Sequence, residues 1–122
     1  MILSLASYDR SYLRENEQLA TTLNLTTPAL GQKTQELLGQ IVSSVLAQVP
    51  VSGVFMTGGD AAMGVFEQIG ASFFHICAEV SLGMPLMQIA DGKYQGLKVI
   101  TKAGAFGKPD AISSSFRKLK EV

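Results

Sequence analysis

The sequence predicts an α/β domain in which a mixed β-sheet is flanked by helices on both faces, a three-layer α/β/α arrangement. Segments of helical periodicity alternate with apolar runs of strand length, and a hairpin-like pair of strands follows them. Apolar residues make up 47% of the 122 residues and charged residues 16%, a composition able to build a hydrophobic core. The length corresponds to one domain, which we take as residues 1–122.

The first part of the chain predicts a strand and two helices. An apolar run over residues 1–6 predicts a buried strand, and Asp9 is a candidate N-cap for an amphipathic helix over residues 10–23. Thr27-Pro28 then has the pattern of an N-cap followed by a proline at the first helical position. Apolar residues recur at three- and four-residue steps from there to Pro50, which ends the second helix.

The remainder predicts four strands and two helices. The strands are expected at residues 51–56, 71–80, 86–90 and 97–101, and the helices at 61–69 and 109–120. Gly70 is expected to end the first of these helices as its C′ residue. Turns are predicted at 57–60, 81–85 and Asp91-Gly92, and a second glycine-rich loop at 102–107.

Charge and cysteine content exclude some partners and indicate a compartment. Ten basic residues balance ten acidic ones, so no electrostatic argument favours nucleic acid or an anionic membrane. One cysteine cannot form an internal disulfide, and we expect a cytoplasmic protein without a signal peptide or a membrane span. A mean hydropathy of +0.25 suggests that some apolar surface is covered, either by a partner, such as a second copy in a homodimer, or by a missing part of the chain.

The turn Thr57-Gly58-Gly59-Asp60 lies between a predicted strand and a predicted helix. Glycines allow the backbone to approach a ligand closely, and the unpaired amides of a helix N-terminus suit a phosphate. Thr57 supplies a hydroxyl, and Asp60 either caps the helix or holds a metal ion that accompanies the phosphate. Taken alone, the four residues favour this interpretation and a plain structural turn equally.

The loop at residues 102–107 also follows a strand and precedes a helix. Two such loops at strand ends are expected to face one crevice, where open α/β sheets bind ligands. Lys102 would meet phosphate charge there, and Gly104 and Gly107 would present backbone amides. Considered by itself, Lys102 would be a solvated lysine at a strand end.

The predicted strand at 71–80 contains polar residues with less specific meaning. His75 and Cys77 lack the further ligands of a zinc site, so we expect both to pack in the core. Glu79 either lines the crevice or ends an exposed strand.

Three motifs occur in order along the chain: TGGDAA at 57–62, EVSLGMP at 79–85 and TKAGAFGKPDAI at 101–112. In this order and spacing they resemble the C-terminal nucleotide-binding domain of the four-carbon acid sugar kinase family, long labelled a domain of unknown function. The resemblance implies ATP and Mg²⁺ as ligands and threonate- or erythronate-like acids as substrates, bound by an N-terminal domain that this chain lacks. By similarity, Gly58, Gly59 and Asp60 contact the nucleotide phosphates.

The same resemblance assigns the second loop and the wall between the two loops. It implies that Gly104, Phe106 and Gly107 form a second nucleotide loop with Lys102 nearby, and that Gly83 shapes the wall. No catalytic residue is assigned in this chain, since the base for the sugar hydroxyl would belong to the other domain.

Three positions depart from the family pattern. Ala61 stands where the family usually has threonine, Leu82 where it has proline, and Ala105 where glycine is frequent. By the same comparison, we expect that the first strand–helix unit of the ATP domain is missing and that this incomplete nucleotide-binding domain is inactive without the sugar-acid domain in cis or in trans. The alternatives are a non-catalytic binding or oligomerisation module that retains the fold, and an unrelated α/β protein whose glycine turns are only structural.

Overall fold

A computed structural model of the protein describes residues 1–4 and 10–121. Residues 1–4 have no regular secondary structure, so the predicted first strand is not formed there. The rest of that predicted strand and the candidate N-cap Asp9 lie outside the described residues. The chain divides into two compact units, residues 1–34 and 35–122.

The first unit contains helix α1 (Ser11–Thr22) and the beginning of helix α2 (Thr27–Gln48). Helix α1 matches the predicted helix to within a residue at each end. The cap of α2 is Thr26, one residue earlier than predicted, because its Oγ1 accepts the amide of Ala29 at 3.2 Å. Pro28 lies in the first turn, where its missing N–H costs nothing.

The second unit contains the sheet and the remaining helices. Its elements after α2 are β1 (Val54–Thr57), α3 (Gly59–Ile69), β2 (Phe74–Ser81), β3 (Met84–Ile89), β4 (Lys98–Lys102) and α4 (Ala111–Lys120). Gly70 ends α3 in the left-handed conformation with a φ of 69°, as predicted.

The four strands form one mixed sheet in the order β1-β4-β3-β2. Strands β1 and β4 are parallel, whereas β3 is antiparallel to both β4 and β2. The last strand of the chain therefore lies inside the sheet, between the first strand and the β2–β3 hairpin.

Two hydrophobic clusters cover the two faces of the sheet and confirm the three-layer prediction. On one face, Met56 and Val99 belong to a cluster with Val65 and Phe66 of α3, and α2 packs against this cluster through partly buried Val42 and Leu46. On the other face, Met84 and Ile100 pack with Ala111 and Leu119 of α4. Burial of these side chains is the main stabilising contribution to the second unit.

Helices α2 and α3 pack closely at a pair of glycines. A Cβ atom on Gly39 would lie 2.4 Å from the carbonyl oxygen of Gly64. A Cβ atom on Gly64 would in turn lie 2.9 Å from the carbonyl oxygen of Gln35. Both side-chain positions must therefore be empty for α2 to hold α3 against the sheet.

Strand β2 departs most from the prediction. It begins at Phe74 rather than at residue 71, because the amides of Ser72 and Phe73 bond to the carboxylate of Asp91 at 3.0 Å instead of to a strand. It is an outer strand of the described sheet, and its central residues are exposed.

The expectation that His75 and Cys77 pack in the core is wrong, since both are exposed. The clusters on the two faces reach β2 only through Phe74 near one end and Val80 near the other. Residues 75–79 lie between these contacts, and all five are exposed.

Candidate functional site

Three loops lie at one edge of the sheet. Because β1 and β4 are parallel, the turn after Thr57 and the loop after Lys102 lie at the same edge, as the sequence predicts. Strand β3 runs antiparallel to β4 with Leu86 opposite Ile100, so the Leu82-Gly83 turn before β3 lies at that edge too. The three motifs singled out in the sequence therefore meet in space.

The turn at 57–60, which we call the phosphate turn, joins β1 directly to α3. The amide of Gly58 donates to the carbonyl of Lys102 at 2.9 Å, and its own carbonyl accepts the amide of Ala62 at 3.1 Å. This last bond is the first of the helix, so the amides of residues 59–61 have no acceptor within α3. Asp60 is exposed in the first turn, where its charge is favourable toward the helix dipole.

The glycines of the site serve different purposes. Gly58 has a φ of 94°, which an L side chain rarely adopts, so the backbone itself requires glycine. Gly59 and Gly104 are not in this conformation, and a Cβ atom on either would have no atom within 4 Å. Nothing in the fold excludes a side chain at these two positions, which leaves room for a ligand to approach the backbone.

Lys102 connects the second loop to the phosphate turn. Its Nζ donates to the carbonyls of Ala103 and Gly104, both at 2.9 Å, and lies 3.5 Å from Oγ1 of Thr57. It is half-buried rather than a free lysine at a strand end. The structure therefore brings its charge beside Thr57, two residues before the start of α3.

The β2–β3 turn closes the edge on the far side. Glu79 accepts the amide of Gly83 at 3.1 Å through Oε1, so this carboxylate stabilises the turn. Gly83 has a φ of 73°, and a Cβ atom there would lie 3.9 Å from Cδ1 of Phe106. Phe106 and Leu82 leave 57% and 79% of their surfaces exposed, so the edge ends in an apolar wall.

The donor set for a metal ion is small. Among the described residues, no three His, Cys, Asp or Glu side chains are grouped in a way that could hold a metal. Asp60, at the phosphate turn, is a single carboxylate. That number suits Mg²⁺, which is commonly held by one or two carboxylates together with phosphates and water.

Sequence reasoning missed the contacts that involve backbone groups. The carbonyls that hold Lys102 and the amide that Glu79 accepts leave no mark in the sequence, because every residue carries the same backbone groups.

A model of a family described as the nucleotide-binding C-terminal domain matches residues 1–112. The chain belongs to this family. The resemblance found from the three motifs is confirmed. The curated relatives that the chain matches are kinases, so this nucleotide-binding C-terminal domain is related to kinases.

Two curated relatives are D-threonate kinases. The domain is 31% identical over 93 residues to the enzyme of Salmonella typhimurium, covering 76% of this chain and 22% of the relative. It is 34% identical over 84 residues to that of Bordetella bronchiseptica, covering 69% of this chain and 21% of the relative. The domain thus spans about a fifth of the length of these kinases.

A solved structure supports the fold. A protein from Bordetella bronchiseptica, described as a domain of unknown function with bound citrate in a domain-swapped dimer, superposes with a TM-score of 0.69 at 33% identity. The match covers 71% of this chain and 22% of that one. In the described part of the nucleotide-binding domain, no helix is both long and apolar enough to cross a membrane.

Proposed function

We propose that this chain is the ATP-binding portion of an ATP-dependent kinase that phosphorylates four-carbon sugar acids of the threonate or erythronate type. The relatives named D-threonate kinase support the substrate class. The observation that carries the proposal is the convergence of the phosphate turn, the loop at 102–107 and the Gly83 turn at one edge of the sheet.

The proposed nucleotide site follows from that geometry. Its members are the residues whose backbone or side chain faces the shared edge: Thr57, Gly58, Gly59, Asp60, Gly83, Lys102, Gly104, Phe106 and Gly107. The free amides of residues 59–61 would hold a phosphate group, and Lys102 would add a positive charge beside it. Open space above Gly59 and Gly104 would admit the ligand.

Asp60 would hold Mg²⁺ together with the phosphates, and the ion would neutralise charge that develops during phosphoryl transfer. The contribution of this chain is to bind and orient the nucleotide, because such transfer depends mostly on positioning and electrostatic stabilisation. No side chain assigned to the site is a base for a sugar hydroxyl. We therefore propose that turnover needs a sugar-acid-binding domain in cis or in trans, and that residues 1–122 alone are inactive. A cytoplasmic location fits the single cysteine.

The experiment compares two glycines that differ only in location. Gly59 and Gly31 both lack a neighbour within 4 Å of a Cβ atom, but only Gly59 lies at the phosphate turn. ATP with Mg²⁺ should raise the melting temperature of the parent chain and of Gly31→Val. At a hundredfold excess of ATP over Kd, the added unfolding free energy is about 2.7 kcal/mol. Gly59→Val should fold but show no such rise, because its side chain fills the space above the helix start.

Two results would contradict the proposal. One is a parent chain whose melting temperature does not respond to millimolar ATP and Mg²⁺. The other is a Gly59→Val variant that responds as strongly as the parent, which would place the site elsewhere.

A second candidate function is a non-catalytic module that assembles with itself. The exposed middle of β2, with Ile76 77% exposed on an outer strand, favours it, as does the domain-swapped dimer of the Bordetella protein. Light scattering distinguishes the two candidates: a homodimer without nucleotide binding supports the module, whereas a monomer that binds ATP opposes it.

A further inference from the structure

The ammonium group of Lys102 contacts two separate segments. An ammonium has three N–H donors, and two of them bond at 2.9 Å to the carbonyls of Ala103 and Gly104. The third partner, Oγ1 of Thr57, lies at 3.5 Å, beyond the usual range of a strong hydrogen bond. One donor of Lys102 is therefore directed toward the phosphate turn with only a weak partner.

The position of Lys102 is constrained by the far end of its own loop. A Cβ atom on Gly107 would lie 2.9 Å from Cε and 3.3 Å from Cδ of Lys102. The aliphatic part of the lysine thus occupies the space that a side chain at residue 107 would need. Gly107, with a φ of 104°, closes the loop around it.

One carbonyl links Lys102 to Phe106. The oxygen of Ala103 accepts both Nζ of Lys102 at 2.9 Å and the amide of Phe106 at 3.1 Å. The Phe106 ring lies beside Gly83 in the β2–β3 turn. Contacts therefore run without interruption from Thr57, through Lys102 and Ala103, to Phe106 at the apolar wall.

We propose that Lys102 is a positioning residue that couples anion binding at the phosphate turn to the position of the Phe106 ring. An anion at the turn takes the weakly bonded third donor from Thr57, and the shared carbonyl transmits the shift to Phe106. This inference rests on the proposed function for the anion site at the phosphate turn and for the identity of the anion as a nucleotide phosphate.

The chain contains no tryptophan, so Phe106→Trp introduces a single fluorescent reporter at the wall. Titration of this variant with inorganic tripolyphosphate should change its emission, although the probe carries no base that could touch the indole. Adding Lys102→Met should abolish the change, even at concentrations where calorimetry shows the anion bound. Lys108→Met removes an exposed lysine close to the same loop and should leave the emission change intact. An emission change that persists in Lys102→Met would overturn the coupling.

A ligand-free measurement separates this inference from the proposed function. Without nucleotide, the amide of Phe106 should exchange with solvent on the order of tenfold faster in Lys102→Met than in the parent chain, since the bonds that hold the loop are lost. Lys108→Met should exchange at the parent rate, and an unchanged unfolding midpoint would show that Lys102→Met remains folded. Parent-like exchange in folded Lys102→Met would overturn the positioning role. Failure of the parent chain to bind ATP would instead count against the proposed function.

Discussion

The crossing of α2 and α3 makes a sharp prediction about stability. Gly39→Ala would place a Cβ atom 2.4 Å from the carbonyl oxygen of Gly64 and 2.6 Å from Cγ of Gln68. A side-chain rotation can move Gln68 but not a backbone oxygen, so the two helices must separate. Overpacking of this kind costs about 1–3 kcal/mol.

Part of that cost is offset, because alanine is favoured over glycine inside a helix by about 0.5–1 kcal/mol. We therefore expect Gly39→Ala to lose about 0–2.5 kcal/mol of unfolding free energy, with a central value of about 1 kcal/mol. At roughly 4 °C per kcal/mol for a chain of this length, the central value corresponds to a fall in melting temperature of about 5 °C.

Gly31→Ala is the matched control for this prediction. It lies on the same helix, but a Cβ atom there would have no neighbour within 4 Å. Only the propensity gain applies, so this variant should be more stable than the parent by about 0.5–1 kcal/mol. Thermal and urea unfolding, followed by circular dichroism, measure the stability of both Gly31→Ala and Gly39→Ala. If Gly39→Ala proved as stable as Gly31→Ala, the close approach of α2 and α3 would be refuted.

Two further substitutions test the local structure around the sheet. Gly70→Ala should lose about 1–2 kcal/mol of unfolding free energy because alanine disfavours the left-handed φ of 69°. No clash adds to this cost, since no atom lies within 4 Å of the new Cβ. Urea unfolding that matches the parent would contradict the left-handed conformation. Asp91→Ala should lose about 1 kcal/mol, because the exposed amides of Ser72 and Phe73 exchange their carboxylate partner for water. Hydrogen exchange at these two amides should accelerate in Asp91→Ala, and unchanged exchange would show that they do not depend on the carboxylate.

The features that the sequence predicted well are those determined by local pattern. The periodic apolar residues before Pro50 predict α2, and the Gly-Gly pair after an apolar run predicts the junction of β1 and α3. The sequence also predicts that the two glycine loops meet, because each follows a strand and precedes a helix, and the parallel pairing of β1 and β4 puts both strand ends at one edge. The assignment of individual residues to the nucleotide remains a prediction.

The features that it missed depend on neighbours that are distant in sequence. Whether His75 and Cys77 are buried depends on which helices cover β2, and an apolar run around them cannot reveal that β2 is an outer strand. The choice between Thr26 and Thr27 as cap depends on which hydroxyl accepts an amide of the first turn, and it is Oγ1 of Thr26 that accepts the amide of Ala29. The role of Lys102 depends on carbonyl oxygens, which are chemically alike at every residue.

The place of β4 in the sheet has a consequence for folding. Of the strands that the structure describes, this one is synthesised last, and in the described sheet it lies between β1 and the β2–β3 hairpin. During synthesis, the chain up to residue 97 contains an isolated strand and a two-stranded hairpin, and a hairpin of that kind is only marginally stable in water. The sheet can close only when residues 98–102 enter between them, so the phosphate turn and the Gly83 turn reach their final positions in the same late event.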